Sequence, residues 1–292
     1  MQSGTIRRIN QFLRQWNLKI GTVPVWLLGL AVVVVWFAPF VWMVSTSFKP
    51  LSEILSSDIN WIPVHPILTN YQIVLQSPIA RWTLNSVIVA VVSTAIAVTF
   101  ASMAGFALGV LNFPGKNVIF FMILASIMIP ANMMVVPLFV AFLRLHIINS
   151  YPALILPSVV SVISVYIFRQ YFMTFPEELI DAATVDGANK ITIFFRIALP
   201  LAKAPFIAAT ILLFSGNWNA FFWPLLVTFN ENMKTMPVGV AEYASVIGAH
   251  TQLQGFGPGM AAVTLLSIPS LLVFFSLQRY FMEGISRTGI KG

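Results

Sequence analysis

Six stretches of about twenty residues are too apolar to sit on a water-facing surface. They run near 24–46, 83–109, 118–143, 151–171, 205–228 and 260–281. A helix needs roughly 20 mostly apolar residues to cross the hydrocarbon core of a bilayer, and each stretch meets that length. Composition agrees. The chain is 58% hydrophobic and 9% charged, whereas a soluble domain carries about 25% charged residues. A large core cannot explain the deficit, because a soluble surface still needs polar cover. The expectation is an all-α integral membrane protein with six transmembrane helices.

The first run follows Arg7, Arg8, Arg14 and Lys19, as the apolar part of a signal peptide would. It continues from Val23 to Val44 without a small-residue cleavage site. A signal peptide's apolar region is about 7–15 residues long, so a retained first span is expected. Residues 1–23 then form an N-terminal segment, 24–282 one membrane domain and 283–292 a tail. No internal repeat or low-complexity tract breaks this plan.

Several chemistries are excluded or disfavoured. There is no cysteine, which removes disulfides and thiol catalysis. His65, His146 and His250 show no metal-ligand spacing. No phosphate-binding G-x-x-x-x-G-K-[ST] loop is present; Gly115-Lys116 lacks both the first glycine and the hydroxyl residue.

Basic residues set the orientation. With the N-terminus inside, twelve of the sixteen Lys and Arg residues fall on the cytoplasmic side, Arg169 among them. Lys49, Arg81, Arg144 and Lys234 fall outside. Five of the nine acidic residues lie inside, so the net charge of +7 is cytoplasmic and the outer face is neutral. The basic balance therefore reflects topology and gives no case for nucleic acid. Both termini are expected inside, with larger outer loops near 47–82 and 229–259. Trp26, Trp42, Trp61 and Trp82 fall near boundaries, where indole rings favour the headgroup region.

Apart from Arg169 and Arg279 near the cytoplasmic ends of spans four and six, the spans carry no Asp, Glu, Lys or Arg. Ion-coupled carriers usually hold ionisable groups there. The spans do carry Pro39, Pro130, Pro137, Pro157, Pro224 and Pro269. Proline kinks or breaks a helix, and six together suit a bundle that rearranges.

The segment between spans four and five reads differently. Thr174 precedes Glu177 at capping-box spacing, and Pro176, Glu177 and Glu178 suit a first helical turn. Leu179, Ala182, Ala183 and Asp186 recur at i, i+3, i+4 and i+7. Gly187 then suits a left-handed helix end. A helix over about 175–186 is expected. A second should start near Asn189, show Ile193, Phe194 and Ile197 on one side, and end before Pro200. The result is a cytoplasmic helix–turn–helix knuckle within 174–204, on which the small Ala182 and Ala183 allow close approach by another backbone. A loop that only packs on its own bundle is the alternative.

The spacing Asp181-Ala182-Ala183, Gly187, Ile197-x-Leu199-Pro200 resembles the EAA loop of ABC importer permeases. Nine residues separate Gly187 from Ile197, as that pattern requires, while Asp181 stands where the family has Glu. "STSFKPLSEI", "NYQIVL", "RWTLNSVIVA", "NWNAFFWPLL" and "QRYFMEGISRTGIKG" resemble the carbohydrate-uptake group, the shorter permease of maltose-type transporters above all. The likeness covers nearly all of the chain after the first 20 residues. It implies a type I importer fold and a non-catalytic subunit of the bacterial cytoplasmic membrane. It also implies a second permease paired as a heterodimer, two ABC ATPases that bind ATP and Mg, and an extracytoplasmic solute-binding protein. The knuckle, with Asp181, Ala182, Ala183, Asp186, Gly187, Ile197, Leu199 and Pro200, would dock on one ATPase. A secondary carrier or channel, or a non-transporting scaffold, are the competing classes.

Two further expectations concern the solute and the tail. Asn217, Trp218, Asn219 and Trp223 on span five form an amide-and-indole cluster in an aliphatic helix. Bare amides are unfavourable against lipid, so they are candidates for the translocation path. Indole rings can stack on sugar rings, although acidic saccharides or sugar phosphates stay open as substrates. In the tail, Arg287 and Lys291 are expected near the ATPases.

Overall fold

The computed structural model describes residues 23–241 and 255–288, with side chains for 25–241 and 255–278. The expected N-terminal segment, the middle of the second outer loop, Lys291 and the side chain of Arg287 lie outside these. Every regular element among the described residues is a helix.

Three helices run uninterrupted at membrane-spanning length: Val23–Ser47, Ile79–Gly109 and Phe256–Thr288. They correspond to spans one, two and six. The second is 31 residues long, or about 46 Å at 1.5 Å per residue. That exceeds a hydrocarbon core of roughly 30 Å, so it is long enough to cross with a tilt. Pro39 and Pro269 sit within spans one and six without breaking them.

The other three spans depart from the expected unbroken helices. Span three divides into Lys116–Met128 and Ala131–Arg144, bent by 95°. The break falls at Ile129, whose backbone is extended, directly before Pro130. Proline disfavours helical geometry in the residue before it. Span four divides into Tyr151–Ser158 and Val162–Phe172, bent by 42°. Pro157 lies in the 3₁₀ turn before that bend, and the Ser161 side chain caps the helix that follows. Span five consists of Lys203–Trp218 and Phe222–Val227.

Spans two and four form the centre, and Lys203–Trp218 packs beside them. Gly105 permits the closest approach: a Cβ there would stand 2.8 Å from the backbone N of Arg169. Span one packs chiefly on span six, and most of its apolar length is exposed. One large buried cluster unites spans two, four and five with the knuckle, and includes Phe106, Phe168, Phe172, Ile193 and Phe194. Two smaller clusters fill the opposite end, around Trp218 and around Phe142.

Trp82, near the start of span two, is buried, and its ring fills the space that a side chain at Gly239 would need. Arg169 lies in the last turn of span four, within the expected bounds. Its guanidinium carbon lies 3.8 Å from the Phe120 ring centroid, a cation–π contact that shelters a charge at the end of a span.

Candidate functional site: the knuckle between spans four and five

The knuckle forms as two short helical arms. The first is Glu177–Val185 with Asp186 as its C-cap. Gly187 follows at φ 81°, and its N–H bonds to the carbonyl of Thr184. A left-handed residue closes a helix in this way. The Asn189 side chain accepts from the Thr192 N–H at 2.8 Å and starts the second arm. That arm runs Lys190–Ile193, widens to a π-turn over Phe194–Ala198, and continues through Leu199–Leu201. It then bends by 81° into Lys203–Trp218.

Two local expectations are corrected. Thr174 makes no capping box; its hydroxyl donates to the carbonyl of Tyr171 and closes the preceding helix instead. The second arm does not end before Pro200. The wide turn directly precedes that proline, whose ring would clash with the carbonyl four residues back, at Arg196. A π-turn relieves such a clash, so the arm passes through.

The knuckle has an inner and an outer face. Ile180, Ala183, Ile193, Phe194 and Ala198 are buried in the central cluster, with Ile197 and Leu199 packed at its edge. Ala183 therefore lies against its own bundle and is closed to another chain. Asp181, Ala182, Asp186, Gly187 and Pro200 are exposed. Beside them stand Leu179, Val185 at 87% exposure and Ile191 at 69%. The sequence reading missed Val185 and Ile191 as surface groups. The signal available was the exposed capping turn between them, Asp186-Gly187, which places its flanking side chains outward.

At the root of the knuckle lies a cavity of about 660 Å³. The segment Gly109–Phe113 and Phe172 form one side, and Glu177, Asp181 and Lys190 contribute charge. No ion pair joins these three among the described residues. Asp181 thus keeps its carboxylate available for a cation from outside the chain.

The span-five cluster does not face one path. Trp218 is fully buried, and its indole N–H donates to the carbonyl of Leu266 on span six at 2.9 Å. Trp223 donates to the carbonyl of Ala153 at 2.8 Å and meets Phe142 edge to face. Both indole N–H groups are engaged within this chain; the full burial of Trp218 corrects its placement on the route, while Trp223 is half-buried. Asn217 is half-buried and reaches Thr94 of span two at 3.3 Å. Asn219 is exposed and bonds only to the carbonyl of Ser215 in its own helix. A second exposed amide, Asn132, stands beside the break in span three. In the sequence, Asn132 is marked only by Pro130 two residues earlier.

The sequence model of binding-protein-dependent transport system inner membrane components matches residues 97–287. That match takes in the knuckle and both broken spans beside it. The chain belongs to this family. It is 34% identical over 284 residues to the arabinooligosaccharides transport system permease protein AraQ of Halalkalibacterium halodurans, covering 94% of this chain and all of that one. It is 31% identical over 248 residues to the lactose transport system permease protein LacG of Rhizobium radiobacter, covering 85% and 88%. Its fold is similar to a chain of a bacterial ABC transporter involved in the import of the acidic polysaccharide alginate. The TM-score is 0.79 at 22% identity, over 89% of this chain and 96% of that one. The ABC importer permease resemblance and the type I fold are thereby shown, and the chain is a multi-pass membrane permease component.

Proposed function

We propose that this permease forms half of the route by which an oligosaccharide is imported, driven by ATP hydrolysis on separate ATPase subunits. The exposed face of the knuckle carries the reading: Val185, Ile191 and Ala182 are apolar groups on a connecting segment, rimmed by Asp181 and Asp186. An exposed apolar patch with a polar rim marks a protein contact. Its buried face locks into spans two, four and five, so a pull on the knuckle reaches the membrane helices directly. The names of the similar permeases support carbohydrate as the substrate class, and an acidic saccharide or sugar phosphate is the alternative.

A second permease is the expected neighbour of span three. Residues 126–134 are exposed around its break. Irregular backbone at membrane depth is tolerated only against protein or a water-filled cavity. Another chain on one side and the route on the other would satisfy it, with Asn132 and Asn219 facing the route. ATP and Mg would bind the ATPases, and an extracytoplasmic binding protein would deliver the solute.

Coupling is tested in the assembled transporter, reconstituted with its binding protein. Gly187→Val disfavours the left-handed turn by about 1–2 kcal/mol, and Ala182→Trp places bulk on the exposed face. Both variants should assemble and lose solute-stimulated ATP hydrolysis. Wild-type stimulation in both would exclude the knuckle as the coupling element. Orientation is read with single cysteines in the same chain. Val185→Cys should react with an impermeant thiol reagent only from the cytoplasm, and Ile62→Cys, at 79% exposure, only from outside. Reversed labelling would overturn the topology.

A further inference from the structure

At the end opposite the knuckle, a cavity of about 370 Å³ lies between span one, the segment that follows it and the start of span six. Trp42 and Phe256 give it aromatic walls, and Lys49, Glu53, Asp58 and Thr46 give it polar ones. Lys49 is only 3% exposed, yet no carboxylate lies within ion-pair distance of it among the described residues. Its ammonium donates to the carbonyl of Asn60 and stands 4.2 Å from the Trp42 ring centroid. An ammonium has three donors, so one carbonyl leaves donating capacity over. Thr46 is buried as well, and its hydroxyl has no hydrogen-bond partner. Buried polar groups are ordinarily satisfied, and here two under-satisfied ones line the same cavity.

The acidic groups differ from each other. The Glu53 carboxylate is engaged, accepting from the N–H groups of Val64 and His65. Asp58 is exposed at the rim; its main-chain carbonyl accepts from Ser56, while its carboxylate makes no hydrogen bond. The cavity therefore offers aromatic walls, with Lys49 already over one face of Trp42 and Trp61 edge to face with that indole at 5.4 Å, an ammonium donor, a hydroxyl and a free carboxylate acceptor. A hydroxyl-rich ring uses all four, because each hydroxyl both donates and accepts and the C–H face of the ring packs on an aromatic. An anion seated on Lys49 would face two carboxylates in the same wall.

We propose that this cavity is a subsite for a neutral saccharide ring at the outer mouth of the permease, separate from the route through the spans. The ring stacks on Trp42 or Phe256, Lys49 donates to its hydroxyls, and Asp58 accepts from them. This rests on the carbohydrate reading above.

The test uses the complete transporter in phosphatidylcholine nanodiscs, with Ile59→Cys in this otherwise cysteine-free chain. Ile59 lines the cavity and is 75% exposed; Ile62→Cys, outside the lining, is the control. Maleimide labelling of this chain is followed against lactose, an arabino-oligosaccharide, glycerol 3-phosphate and glycerophosphoethanolamine, without binding protein. A neutral sugar at about ten times its Kd should slow labelling of Cys at 59 roughly tenfold, following the unliganded fraction. Labelling at 62 should not change. Asp58→Asn, a change of an exposed side chain, and Trp42→Ala should each remove the protection while assembly is retained. Protection by the phosphate compounds alone would overturn the proposal in favour of an anion or lipid-headgroup site. No protection, with saccharide-stimulated ATP hydrolysis intact when binding protein is added, would overturn the subsite and leave the carbohydrate reading standing. Loss of both would overturn both.

Discussion

At the knuckle end, spans two and four meet through bare backbone. Gly105 and Gly109 let span four approach until Phe168 and Phe172 lie against the second span. Phe106 then packs on Phe172 and Phe194 at centroid distances of 5.4 Å. At the opposite end the same two spans are joined by polar groups. The Asn85 amide donates to the carbonyls of Asn232 and Lys234, both at 2.8 Å, and accepts from the Tyr151 hydroxyl at 2.8 Å. Ser86 accepts from the N–H of Met236, and Asn149 accepts from those of Phe229 and Asn230. The difference follows from the backbone at each end. Continuous helices satisfy their own peptide groups, and helices in lipid associate through close packing at small residues. The segment 228–235 is largely irregular, and its buried peptide groups need side-chain partners. One end is thus a rigid apolar joint to the knuckle, and the other a hydrogen-bonded seat for an irregular segment.

The comparison breaks most severely at the glycines. Gly105→Val places a Cβ 2.8 Å from the Arg169 N and 2.9 Å from the Phe168 carbonyl carbon. Backbone cannot move aside as a flexible side chain can. The cost should exceed the ~1–3 kcal/mol typical of overpacking, and the chain should fail to accumulate in the membrane. Wild-type yield and thermal midpoint would show that the spans do not meet there. Asn85→Ala should do less. It strands two carbonyls and the Tyr151 hydroxyl, at about 1–3 kcal/mol after local rearrangement. The chain should still insert and assemble, but protease should cut within 229–241 faster. Unchanged proteolysis would mean that Asn85 does not hold the segment.

The same contrast explains what could be seen in the sequence. Apolar length exposed spans one, two and six, and the glycine at 187 exposed the turn, because each is a local property. The bend at Pro130 was visible as a proline but not as a 95° break, since proline permits anything from a slight kink to a chain reversal. Pro39 and Pro269 lie inside helices that run on undivided. Asn85 carried no local signal: its three partners are 66 to 149 residues away. Trp218 misled for the same reason. An indole in an apolar helix looks available until the carbonyl of Leu266 is seen to hold it.

The smallest expected effect separates the two amides of span five. Asn217 resembles the far-end polar joints: it ties span five to span two through Thr94, by a bond of 3.3 Å. That is long for a side-chain amide, and its loss should cost no more than about 0.5–1.5 kcal/mol. Asn217→Ala should lower the thermal midpoint slightly and leave transport near wild type. Asn219 makes no tertiary hydrogen bond. Its side chain is exposed at the break between the two parts of span five, where the chain is open to a route or to the second permease. Asn219→Ala should leave the midpoint unchanged, because the bond it loses lies within its own helix end, and should reduce transport in reconstituted vesicles. If instead yield of the assembled transporter falls while transport per complex holds, Asn219 lies at the contact with the proposed second permease. Transport and yield both at wild type would remove it from the route and the interface alike.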